Sequence, residues 1–463
     1  MHHSLRLSLT LLFLLPAVQA SAGDVKDTDV YARLKASLDA VPAIDTHSHL
    51  GGPVHIQRAV QRGSEGQRPA NCELNRLWSR SYYVWAHPLA PWPEDGRFET
   101  WWTAAKKNFD NSRARSAYRS LLPIFSDLYG VDFETLTVEQ AKDLNDRMER
   151  NHANPDWAEE VLVKRANTEL ILVDAFCFMP RAGEHTYPFQ AYACHVRWLI
   201  SGFHPSELAN FPAEDPYRFA QQHNLPVESL DDYVAVVDRV LAEAKKAGAV
   251  CLKSPIAYNR TLKFNWVPKE RAEQAFGKTR DQLTPAQIKD FQDYMFWQLA
   301  ALSAKHALPF QIHTGHAMIE SSNPMNLVNL IQANPKTTFV LFHGGFPWVG
   351  ESGMVALKYP NVYLDSVWMP TLSHTIGKRA FNEWLDMISS NRIMWGSDTG
   401  SIEGTYGLTI YARQCITEAL AEKVVAKELR EQDALRIGRQ ILRENALEAY
   451  PLLRERVKKT NDQ

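Results

Sequence analysis

The chain has 463 residues, of which 45% are apolar and 22% charged, and it carries a formal net charge of −2. That is apolar material for one large α/β domain or two smaller ones. So small a net charge gives no general field for nucleic acid or anionic lipid, and any anion recognition must be local. The five cysteines (Cys72, Cys177, Cys194, Cys251 and Cys415) contain no Cys-x-x-Cys spacing, so they signal neither a thiolate zinc site nor a redox pair. Cys177 and Cys251 sit in apolar runs, where a buried, inert thiol is expected.

Residues 1–22 read as an export signal. Arg6 supplies a basic start, residues 7–15 are almost entirely apolar, and Val18-Gln19-Ala20 or Ala20-Ser21-Ala22 fits a small-residue cleavage site. The run falls short of the ~20 residues of a membrane span, and no cysteine follows either cleavage point. A mature protein of residues 23–463, periplasmic or secreted, is therefore expected, with no later membrane span.

Residues 43–49, Ala-Ile-Asp-Thr-His-Ser-His, form a strand-like run followed by Leu50-Gly51-Gly52-Pro53. Strand side chains alternate faces, so His47 and His49 point the same way. Two imidazoles there can hold one metal ion or be ordinary polar residues at a strand end. Residues 53–165 then carry no clear strand but hold Trp78, Tyr82, Tyr83, Trp85, Trp92, Trp101 and Trp102. These aromatic residues either wall a pocket or fill the core of a helical insertion.

Further apolar runs follow at 170–174, 196–200, 249–253, 309–313, 339–343, 362–365 and 393–398, which with 43–49 make eight candidate strands. Helical stretches lie between them. Ser229-Leu230-Asp231-Asp232 resembles a capping box, with Tyr233, Val237, Val240, Leu241 and Ala244 at helical spacing up to Gly248. Thr284-Pro285-Ala286-Gln287 opens another helix, with Ile288, Phe291, Met295, Leu299 and Leu302 as its buried stripe. Asn323-Pro324 opens a third. Eight strands alternating with helices predict an α/β fold, a (β/α)₈ TIM barrel with a large helical, aromatic-rich insertion after the first strand. The rival doubly wound sheet needs a glycine-rich phosphate loop, which Gly51-Gly52-Pro53 does not provide.

In a parallel barrel all strand C-termini share one face. His47 and His49 end the first candidate strand, Lys253 the fourth, His313 the fifth, His343 the sixth and Asp398 the eighth. One histidine there is ordinary; four histidines and an aspartate in register point to a metal centre. Imidazoles and a carboxylate without thiolates suit zinc and tolerate other divalent ions. A bound zinc lowers the pKa of water from about 15.7 to about 7. Asp398 would act as base, and His343 would bind a second ion or polarise a carbonyl. Lys253 would be a cation at the reacting carbonyl or part of a structural ion pair. Arg260 and Tyr258, on the loop after Lys253, are candidates for holding a substrate carboxylate. His316 and Trp368 are candidate pocket residues, and Asp365 a candidate support for the ligands.

With these residues in place, the chain resembles the amidohydrolase superfamily, in particular the amidohydrolase-related branch, with distant similarity to uronate isomerases. The resemblance implies a divalent metal on His47, His49, His313 and Asp398. It also implies that Lys253, carboxylated in binuclear members, and His343 serve a second ion, leaving one or two metals open. It implies an enzyme that uses metal-activated water on an amide, ester or lactone carbonyl of a small molecule. The alternative on the same scaffold is an isomerase or decarboxylase, and a binding protein without activity is the third reading. The oligomeric state is not legible in the sequence.

Overall fold

The computed structural model describes residues 23–52, 72–179 and 187–461. The export signal and the first part of the insertion lie outside the described residues. Eight parallel strands follow one another around a single sheet: β1 (Ala43–Ser48), β2 (Thr168–Asp174), β3 (Gln190–His195), β4 (Ala249–Ser254), β5 (Phe310–His313), β6 (Phe339–Phe342), β7 (Val362–Asp365) and β8 (Ile393–Met394). The chain beyond β8 closes on β1, where Thr46 N donates to Trp395 O at 3.3 Å and Asp398 N to His47 O at 2.8 Å. This is the (β/α)₈ barrel that the alternation of elements predicts.

Seven strands fall in the expected runs. The third does not. Val196, Leu199 and Ile200 are buried and read as a strand, but residues Trp198–Ser201 form a 3-10 turn. The true strand, Gln190–His195, is weakly apolar. Its alternation puts Ala191 and Ala193 into one core cluster and Tyr192 and Cys194 into the other. Alanine fits a crowded barrel interior, yet alone it signals no strand.

Between β1 and β2 the described residues are helical, including α1 (Glu73–Arg80), α2 (Phe98–Asp110) and α3 (Val138–His152). Trp78, Tyr83, Trp101 and Trp102 are buried together with Phe109 and Phe133 in an aromatic core. Outside the barrel, α4 (Leu230–Lys246) keeps its Ser229–Asp232 capping box. The helix α5 (Pro285–His306) keeps its Thr284 cap with Pro285 in the first turn. After β8 comes α6 (Ile402–Val425), capped by Ser401. Its Glu403 meets the insertion, accepting from His152 Nε2 at 2.8 Å, Trp157 Nε1 at 3.0 Å and Tyr129 Oη at 3.0 Å. His152 Nδ1 reaches Glu73 at 3.1 Å, so one imidazole joins α1, α3 and α6. None of the described helices is long and apolar enough to cross a membrane.

Candidate active site

The strand ends place two groups of ligand-type side chains on the C-terminal face. In the first, the ligand atoms of His47, His49 and Asp398 lie within 4.8 Å of one another. Asp398 Oδ1 is 3.2 Å from His49 Nε2 and 3.5 Å from His47 Nε2. His49 Nδ1 donates to Asp174 O at 2.9 Å, which leaves Nε2 as the free nitrogen. With the ring protonated, that nitrogen and the carboxylate oxygen face each other as an ion pair; with the proton gone, a divalent cation between them would take both as ligands. The donor set therefore fits a metal such as zinc. Burial pushes the Asp398 carboxyl up, but the hydrogen bond and charge of His49 outweigh it and hold the group below the usual range.

The second group is His313, His316 and His343, again with ligand atoms within 4.8 Å of one another. His313, which the sequence resemblance joins to His47, His49 and Asp398, sits in this second group and lines one cavity with His49 and Asp398. Burial lowers all three imidazoles, His316 to about 4 and His343 to about 3, and so holds them neutral. Three residues of this face, His343 (φ 59°), Trp368 (φ 58°) and Asp398 (φ 54°), adopt left-handed backbone without being glycine. Such strain collects where geometry matters more than stability.

Between the groups and solvent is a cavity of about 410 Å³, lined in part by His49, His313, Lys253 and Asp398. Lys253 Nζ donates to His47 Nε2 at 3.2 Å and lies 4.7 Å over the Phe342 ring. Burial lowers its amine from the ordinary value, against the pull of the Asp174 and Asp398 carboxylates. Tyr258 and Trp368 line the cavity, joined by Tyr82 and Trp85 from the insertion and by Phe176, which stacks flat on His49 at 4.6 Å. His316 packs behind this wall, its ring 5.2 Å from Trp368. Asp365 accepts from Thr46 Oγ1 at 2.6 Å and so supports β1 from below.

Arg260 is a correction. It does not line the cavity; its Nη2 donates to buried Asp293 at 2.6 Å and Nη1 to Gln292 at 3.0 Å. The cation that does line the cavity is Arg197, just past β3. Its Nε donates to Asn259 Oδ1 at 2.8 Å and its guanidinium lies 4.7 Å over Trp198. Among the described residues neither of its Nη groups has a hydrogen-bond partner, so the fork is free to take an anion. Asp174 also escapes the sequence reading as a site residue, whereas Tyr82 and Trp85 belong to the aromatic set that the sequence leaves open between pocket wall and core. For Asp174 a signal existed, since it is the polar end of an apolar run. Its carboxylate accepts from His195 Nδ1 at 2.8 Å.

A family model described as Amidohydrolase matches residues 193–452. Among curated relatives, Protein fluG of Emericella nidulans is 28% identical over 239 residues, 48% of this chain and 27% of that protein. Uronate isomerase of Nostoc punctiforme is 22% identical over 298 residues, 62% of this chain and 61% of that one. The chain therefore spans about a quarter of the first relative and less than two thirds of the second. Among solved structures, glucuronate isomerase from Caulobacter crescentus matches at a TM-score of 0.69 and 17% identity, covering 93% of this chain and 95% of its own. Uronate isomerase from Thermotoga maritima matches at 0.69 and 14%, covering 91% and 97%. At these identities the likeness is one of fold.

Proposed function

Because the chain belongs to the amidohydrolase family, we propose that it is a metal-dependent isomerase of a small carboxylated substrate, like the uronate isomerases it resembles. One observation carries this reading: the free fork of Arg197 lines the same cavity as the Asp398–His49 pair. A carboxylate at one end of the substrate and a reacting carbonyl at the other would each meet a complementary group.

A divalent ion on His47, His49 and Asp398 would polarise the carbonyl oxygen. Arg197 binds the carboxylate bidentately and fixes the distance from there to the reacting carbons. Asp398, held ionised, takes the proton from the carbon beside the carbonyl and returns it to the former carbonyl carbon. The hydroxyl proton passes to the carbonyl oxygen through Lys253, whose lowered amine exchanges protons readily. Tyr82, Trp85 and Trp368 keep bulk water from the intermediate.

Hydrolysis of an amide, ester or lactone is the second reading. It is favoured by Asp398, whose Oδ1 faces the two imidazoles and leaves Oδ2 to orient a water. The leader-like residues 1–22 support export, which the mass of the mature N-terminus in the exported fraction would test.

The chemistry is tested by incubating zinc-loaded protein with a panel of uronates in deuterated water. Deuterium on the carbon next to the carbonyl, in a product isomeric with its substrate, is expected. Product carrying oxygen-18 from labelled water, formed from an amide, ester or lactone panel, moves the reading to hydrolysis. Neither outcome in the metal-replete protein sinks both.

A further inference from the structure

Behind the cavity wall three buried polar groups stand in a row, and the chemistry above uses none of them. The parallel pairing of β2 and β3 sets Asp174 opposite Ala193, which brings His195, two residues on, beside the end of β2. His195 Nδ1 donates to the two Asp174 carboxylate oxygens at 2.8 and 3.0 Å. On the far side of the ring, Nε2 faces Glu214 Oε2 at 3.5 Å. Both of those atoms are buried, and neither has a hydrogen-bond partner among the described residues. Such a pair is costly unless one proton lies between its members. Burial pushes the Glu214 carboxyl up to about 7, which keeps a proton within reach of that gap at neutral pH.

The row ends at His49. Asp174 O accepts from His49 Nδ1 at 2.9 Å, and Asp174 Oδ1 accepts from Phe176 N at 3.1 Å. The second bond closes a tight turn in which Phe176 takes φ 52°, and its ring lies flat on His49 at 4.6 Å, 5° from parallel. Asp174 therefore holds the His49 ring at its edge with the carbonyl and over its face through Phe176. The Asp174 carboxylate is held in turn by His195. Glu214 reaches this point from the loop after β3, where its N donates to Phe211 O at 2.8 Å and Phe178 N donates to Ala213 O at 3.2 Å. The loops after β2 and β3 are thus tied together around the row. Asp174, His195 and Glu214 are all buried, so bulk water does not compete for these contacts.

We propose that His195 and Glu214 are positioning residues for His49, a role that rests on the reading of His49 as a metal ligand. Glu214 aligns the His195 ring, His195 fixes the Asp174 carboxylate, and Asp174 sets the tautomer and the plane of the His49 ring. Held in this way, His49 keeps its proton on Nδ1 and presents Nε2 to Asp398. Ligand histidines depend on such outer partners, whose loss typically costs about 10- to 100-fold in metal affinity. Here the outer partner is a backbone carbonyl, and the side chains behind it fix where that carbonyl points. None of this depends on whether the reaction is isomerisation or hydrolysis.

The test uses the full chain with its histidines labelled with nitrogen-15. NMR of the chelator-stripped protein reads the His49 tautomer, its signal assigned with His49→Gln, and equilibrium dialysis against Co²⁺ reads metal affinity. His195→Gln keeps an amide toward Glu214 but withdraws the donor from Asp174. It is expected to lose the fixed Nδ1–H form of His49 and to bind Co²⁺ about 10- to 100-fold more weakly than wild type. His195→Asn, whose amide reaches the place of Nδ1, is expected to restore both. Glu214→Leu is expected to shift both readouts in the same direction as His195→Gln. Far-UV circular dichroism confirms folding, and Glu214→Leu keeps the result from resting on one substitution. An unchanged His49 signal with wild-type Co²⁺ affinity in the folded variants overturns the proposal, and so does equal weakening in His195→Asn, which loss of packing alone would give. Equal Co²⁺ affinity in wild type and His49→Gln would overturn both the proposal and the metal-ligand reading beneath it.

Discussion

The Lys253 ammonium donates to His47 Nε2 at 3.2 Å in the buried floor of the cavity. This contact competes for the nitrogen lone pair that a metal on His47 requires. Burial pushes His47 well down, and the Lys253 charge adds to the effect. A bound ion would release Lys253 toward the substrate. Lys253→Met is therefore expected to keep its full complement of Co²⁺ while turnover falls roughly 100- to 1,000-fold, the cost of losing one stabilising donor in such a site. Loss of one ion in the folded variant would show that Lys253 is itself a ligand.

The substrate-binding role that the sequence suggests for Arg260, after β4, passes to Arg197, after β3, which the sequence reading does not single out. Arg197→Met is expected to raise KM for a carboxylated substrate about 10- to 100-fold, matching the ~1.5–3 kcal/mol of a charged hydrogen bond, with little change in melting temperature. Arg260→Met is expected to do the reverse. It strips a guanidinium partner from fully buried Asp293 and should cost about 3 kcal/mol of stability, since a buried charge is left short of partners. Equal KM values for wild type and Arg197→Met would remove Arg197 from the substrate site.

The gathering of the strand-end histidines and Asp398 on one face was legible because a parallel barrel turns sequence position at strand ends into spatial proximity. What the sequence withheld depended on partners far along the chain. Arg197 and Arg260 both follow strands, and only the position of Asp293 on α5 decides which one is neutralised. His313 was legible as a ligand-type side chain at a strand end, but its grouping with His316 and His343 depends on a turn in which Gly315 takes φ +71°. The third strand was hidden by its alanines, while a more apolar stretch just after it forms a turn. Among the aromatic residues of the insertion, composition alone could not divide wall from core.

That division makes its own prediction. Trp78 is fully buried and touches Tyr83, Phe109, Tyr118 and Phe133, whereas Trp85 is 57% exposed at the cavity, its ring 5.3 Å from Tyr258. Trp78→Ala should lose about 3–5 kcal/mol of stability. Trp85→Ala should change stability by no more than about 0.5 kcal/mol, yet alter KM or substrate preference. Denaturant unfolding and steady-state kinetics on both variants check the pair, and a stable Trp78→Ala would contradict the aromatic core.

The Glu73–His152–Glu403 chain predicts how stability depends on pH. Burial alone would lower the His152 imidazole, but the charge and hydrogen bonds of Glu403, with those of Glu73, raise it from 6.5 to about 10. A group raised in the folded state gives stability that is complete below its unfolded value and is lost as pH climbs through its folded value. For His152 the contribution is whole below about 6.5, declines above it, and is gone beyond about 10. On the acid side, Glu403 is pushed up by burial but held near 2 chiefly by the charge of His152. Its contribution is present above the ordinary value of 4.5 and is lost as pH falls toward 2. The clamp is therefore strongest between about 4.5 and 6.5. His152→Ala should cost about 3 kcal/mol in that window, because it leaves two buried carboxylates facing each other without the cation. The difference between wild type and variant should shrink through the alkaline range and vanish above about pH 10. Thermal melts of both proteins across that range measure it, and a difference independent of pH would show that His152 stays neutral and acts by packing alone.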